Sequence, residues 1–157
     1  MSELEEPVYE NPGEEQPETR KKRPPVTAQN KLMDYLARRD HSEKELREKL
    51  SKNFEVEEID RAIQTAKDSG WMADPQELAE KVRDSLSTKG KGAAYIRQYL
   101  IKKGLPTVSF DEDLELEKGR KLIAPLIQRG EDKPKLHRYL VNRGYEHSII
   151  RKVIYEK

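Results

Sequence analysis

The chain contains no cysteine, which excludes disulfide scaffolds, thiolate metal sites and cysteine nucleophiles and makes the cytoplasm the default compartment. Large apolar side chains are scarce: one Trp, two Phe and three Met in 157 residues, with hydrophobic residues at 34%. That content does not fill a large enzyme core. No apolar run approaches the length that spans a bilayer, and the N-terminus opens on acids rather than on a basic segment, so neither a membrane helix nor an export signal is expected. A nucleotide-binding GxxxxGK[ST] loop is missing too, since Lys89-Gly90-Lys91-Gly92 lacks the spacing and no strand precedes it. His41, His137 and His147 do not stand at metal-ligand spacing and read as ordinary surface histidines. Consecutive Asp111, Glu112 and Asp113 share no helix face, so they read as helix N-terminal acids rather than a nuclease cluster. The expectation is a non-enzyme with no catalytic residue, metal or cofactor.

What is abundant is charge, at 39% of residues against roughly 25% in a typical globular chain. An elongated or repeat-like shape accommodates that better than a sphere. The net charge of +1 hides an asymmetry: the first nineteen residues hold seven acids and no Lys or Arg, and the basic run Arg20 to Arg23 follows. Residues 1–25 are rich in Glu and Pro and show no helical or strand period, so they read as a disordered tail. Two roles stay open for it: a solubilising leader, or an intramolecular competitor that shields basic surface. Lys31 to Gly70 holds nine bases and ten acids, whereas Ser85 to Phe110 holds five bases and no acid, and Lys118 to Arg143 eight bases and two acids. The basic surface belongs to the second and third parts of the chain.

From Gln29 onward apolar residues recur at helical spacing, and three segments superpose. Leu36, Leu86 and Leu126 each lie ten residues before Leu46, Ile96 and Leu136, with Leu50, Leu100 and Leu140 four further on. Asp40, Gly90 and Gly130 fall where a first helix stops. Ser42, Gly92 and Asp132 follow at the next N-cap, with Ser42 and Glu45 spaced as a capping box and Pro134 in the first turn of its helix. Asn53, Gly104 and Gly144 end the second helix, Asn53 being tolerant of the left-handed conformation. A third helix is expected from Val56 to about Ser69 and again from Glu146 to Ile154. In the middle unit it should begin at Leu105 to Phe110, with the acidic stretch Asp111 to Glu117 open between that helix and the first helix of the next unit. The predicted fold is all-α: three tandem three-helix, helix-turn-helix-like repeats in an elongated, curved array, at residues 26–74, 75–116 and 117–157.

The stretches ARRDHSEKELREKL, STKGKGAAYIRQYLIKKGL and KLHRYLVNRGY together resemble successive units of RecX proteins, modulators of the RecA recombinase. The resemblance runs from about Leu32 to the C-terminus. Asn53 departs from it where such units often carry glycine, and Ala73 stands where a second aspartate is common. The resemblance implies a regulatory protein, not an enzyme, that binds the RecA filament on single-stranded DNA, directly or through the filament. It would limit recombination, ATPase and co-protease activities in DNA repair and the SOS response, as a cytoplasmic monomer.

The expected partner- and DNA-binding residues are Arg38, Arg39, Lys89, Lys91, Arg97, Lys102, Lys103, Arg129, Lys135, Arg138 and Arg143. Lys and Arg beside glycine can approach phosphates closely, and the helix N-terminus after Gly92 would add exposed N–H donors; a solvated face is the plainer alternative. Tyr95, Tyr99 and Tyr139 interleave with these bases and read as core-edge packing, with stacking on nucleic-acid bases as the functional alternative. Trp71 reads as packing between units. Competing functions are a stand-alone helix-turn-helix DNA-binding protein without a protein partner, and a helical scaffold with no salt-sensitive DNA affinity.

Overall fold

The computed structural model describes residues 25–156, and the acidic tail predicted for residues 1–25 lies almost wholly outside them. Among the described residues there are eight helices and no strand: α1 (Ala28–Arg38), α2 (Glu43–Leu50), α3 (Val56–Asp68), α4 (Pro75–Thr88), α5 (Ala93–Lys102), α6 (Glu112–Gln128), α7 (Lys133–Asn142) and α8 (His147–Ile154). The all-helical expectation holds.

Local chemistry sets most of the boundaries. Thr27 accepts a hydrogen bond from the Asn30 amide to start α1, and the Ser42–Glu45 capping box opens α2 in both directions. Asp74 caps α4 ahead of Pro75, and Asp132 caps α7 ahead of Pro134. Asp111 accepts from the Asp113 and Leu114 amides, so the acidic stretch forms the first turn of α6. Five helix ends carry glycine at positive φ, including Gly90, Gly104, Gly130 and Gly144. The amide that follows each of these four bonds back to the carbonyl five residues earlier, as in Leu105 to Leu100 and Tyr145 to Leu140.

Apolar residues at helical spacing gather into three separate cores in chain order. The first joins Leu32, Leu46, Leu50, Ile59, Ile63 and Ala66 from α1, α2 and α3. The second is smaller, with Ala79, Ile96 and Leu100 from α4 and α5. The third joins Ile123, Leu136, Leu140, Tyr145, Ile149 and Ile150 from α6, α7 and α8. Helices with extensive mutual packing all belong to the same core, as expected of tandem small units.

Several local expectations need correction. The middle unit has no third helix: residues 105–111 are non-helical, and Leu105, Val108 and Phe110 pack on its core from an irregular segment. Pro106 supplies no N–H and biases its predecessor away from helix, while β-branched Thr107 and Val108 suit an extended chain. A division between residues 116 and 117 falls inside the continuous α6. Asp111 starts that helix and Ile123 sits in the third core, so we propose that the third unit begins at Asp111.

Asp40 and Asn53 do not take the left-handed conformation, because among the described residues none other than glycine has positive φ. At Asn53 the turn closes one residue sooner, with Phe54 bonded to Leu50 only four residues back. Trp71 does not fill the space between units either. It is 38% exposed and shares a shallow surface groove with Met33, Leu36 and Ala37, while Met72 packs on the first core and lines a cavity with Leu78 and Leu105 of the middle unit.

Candidate binding interface

The joins between units decide which parts of α5 can meet a partner. At the second join the Gly92 amide donates to the Arg143 carbonyl at 2.9 Å, and the Ala94 and Tyr95 amides donate to the Gly144 carbonyl at 2.9 and 3.3 Å. The Ala93 amide donates to the Glu115 carboxylate at 2.9 Å. All the donors at the start of α5 are therefore used inside the protein, and the exposed phosphate-binding N-terminus expected after Gly92 does not exist. The glycines serve the join instead: a Cβ on Gly92 would stand 2.5 Å from the Gly144 carbonyl oxygen, and one on Gly144 would stand 2.3 Å from the Tyr95 Cβ.

Glu115, Lys118 and Tyr145 complete this join, and sequence reasoning passed over their role. Glu115 is 4% exposed and pairs with the Lys118 ammonium at 2.6 Å. Lys118 also donates to the Ser87 hydroxyl and the Lys91 carbonyl, at 2.8 and 2.9 Å. The Tyr145 hydroxyl donates to the Gly90 carbonyl at 3.0 Å, and burial, then the Glu115 charge, pushes its pKa up. A buried carboxylate is tolerated here because an ammonium and a backbone amide both compensate it. The available signal was an acid one turn inside a helix whose apolar stripe it interrupts.

The first join is polar. The Ser42 hydroxyl donates to the Lys103 carbonyl at 2.6 Å, and Glu45 receives Arg39 at 2.9 Å and Lys103 at 3.3 Å. Burial works to raise the Glu45 pKa, but hydrogen bonds from Arg39, the Ser42 amide and Lys103 outweigh it and hold the carboxyl down at about 2. His41 is 3% exposed, contrary to the surface position expected of it. Lys49 can only donate, so its 2.8 Å contact makes Nε2 the acceptor and leaves Nδ1–H to donate to the Arg39 carbonyl at 2.9 Å. A cavity of about 420 Å³ lies beside this join, lined by His41, Ser42, Met72, Leu78 and Leu105 among others.

Between the joins a row of cations and tyrosines lies along α5. Tyr95 and Tyr99 are spaced by four and so share one face of α5, with Lys91 just before the helix and Lys103 at its C-cap. The Lys91 ammonium lies 4.7 Å from the Tyr95 ring, the Tyr95 and Tyr99 rings stack at 6.5 Å, and Lys103 lies 5.5 Å from the Tyr99 ring. The third unit repeats the last pair, with Arg143 at 5.0 Å over Tyr139. Tyr139 packs on the third core, as expected, whereas Tyr95 is 38% exposed and Tyr99 half-buried, outside all three cores. Since Gly144 touches Tyr95 and Lys103 binds Glu45 beside Arg39, the row runs on across both joins.

The remaining basic residues divide by pairing. Arg97 pairs with Glu146 and lies over Phe110, and Lys135 pairs with Glu131 at 3.0 Å. Arg38, Lys89, Lys102, Arg129 and Arg138 are exposed with no ion-pair partner among the described residues. In the first unit Glu43 holds Arg47 and Lys67, and Asp60 also holds Arg47, so much of the charge there is neutralised internally. No group of three or more potential metal ligands occurs among the described residues, and no described helix is long and apolar enough to cross a membrane.

Known proteins share this architecture and sequence. A family model described as RecX, first three-helix domain, matches residues 28–65. A regulatory protein RecX of Haemophilus ducreyi is 32% identical over 136 residues, covering 78% of this chain and 87% of that protein. The one of Clostridioides difficile is 30% identical over 142 residues, covering 82% of this chain and 67% of its own. A crystal structure of RecX from Lactobacillus salivarius superposes with a TM-score of 0.70 at 26% identity, over 82% of this chain and 93% of that one. A helical chain of tandem small units with this degree of likeness along most of its length belongs to the RecX family of regulatory proteins.

Proposed function

We propose that this protein binds the RecA recombinase filament on single-stranded DNA and limits its recombination, ATPase and co-protease activities. The observation that carries the reading is the Lys91–Tyr95–Tyr99–Lys103 row, set in a stretch from Ser85 to Phe110 that contains no acid. Cations on such a row release counterions from phosphates, and an exposed tyrosine offers a face for an unpaired base. Lys89, Lys102, Arg129 and Arg138, without an ion-pair partner among the described residues, extend the positive field, and Arg39, Arg97, Lys103 and Lys135 contribute less because carboxylates already hold them.

A stand-alone helix-turn-helix mode fits less well. Such proteins read base edges with the N-terminal turn of a recognition helix, yet the starts of α2 and α5 are tied into the joins by Ser42 and by the amides of residues 92–95, which leaves only the start of α7 among these helices clear of a join. The test is fluorescence anisotropy of labelled single-stranded DNA, bare and coated with RecA, using the wild type and a Tyr95→Ala, Tyr99→Ala double variant. The reading expects tighter binding to the coated strand and a loss of about tenfold in the variant. Equal affinity for both strands, unchanged by the variant, would count against it.

A further inference from the structure

The basic row on α5 has a neighbour of opposite charge in the same chain. Residues 1–19 hold seven glutamates and no Lys or Arg, and the run Arg20 to Arg23 that follows supplies four bases. Even with all four of those bases neutralised locally, three glutamates remain in excess. The family model begins at residue 28, so the likeness to RecX assigns this stretch no role. The folded units answer that excess unevenly. In Lys31 to Gly70 ten acids stand against nine bases, and Glu43 and Asp60 already hold Arg47 and Lys67. Around α5, Glu146 holds Arg97 and Glu45 holds Lys103, while Lys89, Lys91 and Lys102 meet no carboxylate among the described residues.

Reach connects the two. α1 carries the chain about 16 Å from Thr27 to Arg39. Arg39 holds Glu45, and Glu45 holds Lys103 at the near end of the row. With those side chains included, Lys103 lies within about 30 Å of Thr27, and α5 with the turn before it adds about 20 Å to Lys89. An extended chain spans about 3.3 Å per residue, so Glu18 reaches about 30 Å from Thr27 and Glu10 about 55 Å. The glutamates can therefore cover the whole row. It is also the first basic surface they meet that carboxylates do not already hold, since the basic stretch of the third unit lies beyond the second join.

We propose that the glutamates of residues 1–19 dock on Lys89, Lys91 and Lys102 in the free protein and shield the α5 row until a polyanion displaces them. Each exposed carboxylate–ammonium pair is weak, but a tether gives several of them an effective concentration on the order of millimolar. Such contacts are strong enough to compete for the row and weak enough to release it. The displacement rests on the reading of the row as a single-stranded DNA site; the docking does not.

Carbodiimide coupling of the full chain reads the docking directly, because it joins a carboxylate to an ammonium only where the two meet. Mass spectrometry of the digested product should find the glutamates of residues 1–19 joined to Lys89, Lys91 and Lys102 in preference to Lys52, which is exposed in the first unit. An excess of oligo(dT) should abolish those products. A full-length variant with the seven glutamates replaced by Gln should bind oligo(dT) about fivefold tighter or more at low salt, and the gain should shrink as salt rises. Coupling confined to Lys21 and Lys22, or spread equally onto Lys52, overturns the docking and leaves a solubilising leader. Row coupling that survives saturation with oligo(dT), or a Gln variant that binds no tighter than a binding-competent wild type, overturns the shield. If neither chain binds oligo(dT), the DNA reading of the row falls, and the coupling pattern still decides the docking.

Discussion

Replacing Gly92 by alanine separates the role of the second join from the ordinary cost of losing a glycine. Gly92 has φ −89, which any residue adopts, so alanine there meets no left-handed strain. Its Cβ would stand 2.5 Å from the Gly144 carbonyl oxygen, about an ångström inside normal contact, and the obstacle is backbone that cannot rotate away. Moving the units apart by that much lengthens the Gly92–Arg143 and Ala94–Gly144 hydrogen bonds from 2.9 Å beyond bonding range. Two buried hydrogen bonds at about 0.5 to 1.5 kcal/mol each, plus poorer N-capping, give a loss of roughly 2 to 4 kcal/mol. Gly130→Ala is the complementary control: φ is +85 and nothing lies within 4 Å of the added Cβ, so only the backbone cost of about 1 to 2 kcal/mol applies. Urea unfolding gives both losses, and hydrogen exchange at the Ala94 amide reads the join directly. Equal losses in the two variants, with Ala94 protected as in the wild type, would refute the account of the join.

Replacing Lys89, Lys91 and Lys102 by Glu should lower affinity for RecA-coated single-stranded DNA by at least about tenfold with helical content by circular dichroism unchanged, because each either lacks an ion-pair partner or touches only a tyrosine; unaltered affinity would remove the basic row from the mechanism. Burial, and then the charges of Arg39 and Lys49 against the hydrogen bond to the Arg39 carbonyl, hold the His41 pKa below 6.5. The folded state therefore prefers the neutral ring, so stability is full above that value and declines as pH falls below it; a urea midpoint that drops between about pH 7 and about pH 5.5 in the wild type, and less in His41→Gln, checks this. Glu45 acts further down, since its depressed carboxyl stabilises the fold above 4.5 and loses that contribution as pH falls toward about 2. Thermal unfolding of Glu45→Gln should show a shallower acid decline over that window.

The helical frame was legible because caps and apolar spacing act locally. Ser42 with Glu45, and Asp132 before Pro134, announce their helices within four residues. The middle unit defied its repeat because Pro106 and the β-branched pair after it outweigh an inherited register. The binding face was half legible. A stretch of five bases without an acid marks the proposed face, but Gly92 within it reads as a phosphate approach when it is where two backbones touch. Which cations are spent on carboxylates is a long-range matter: Arg97 meets Glu146 and Lys103 meets Glu45 across units. His41 looked like a surface residue because its burial depends on Lys49 and on the turn it fills, neither of which spacing displays.

The most direct test of regulation is RecA-catalysed ATP hydrolysis on single-stranded DNA, titrated with this protein beside its binding to the same bare DNA. The account predicts that hydrolysis falls at protein concentrations well below those that coat the bare strand. No suppression, or suppression only once the bare strand itself is occupied, would contradict it and leave a protein that competes for DNA.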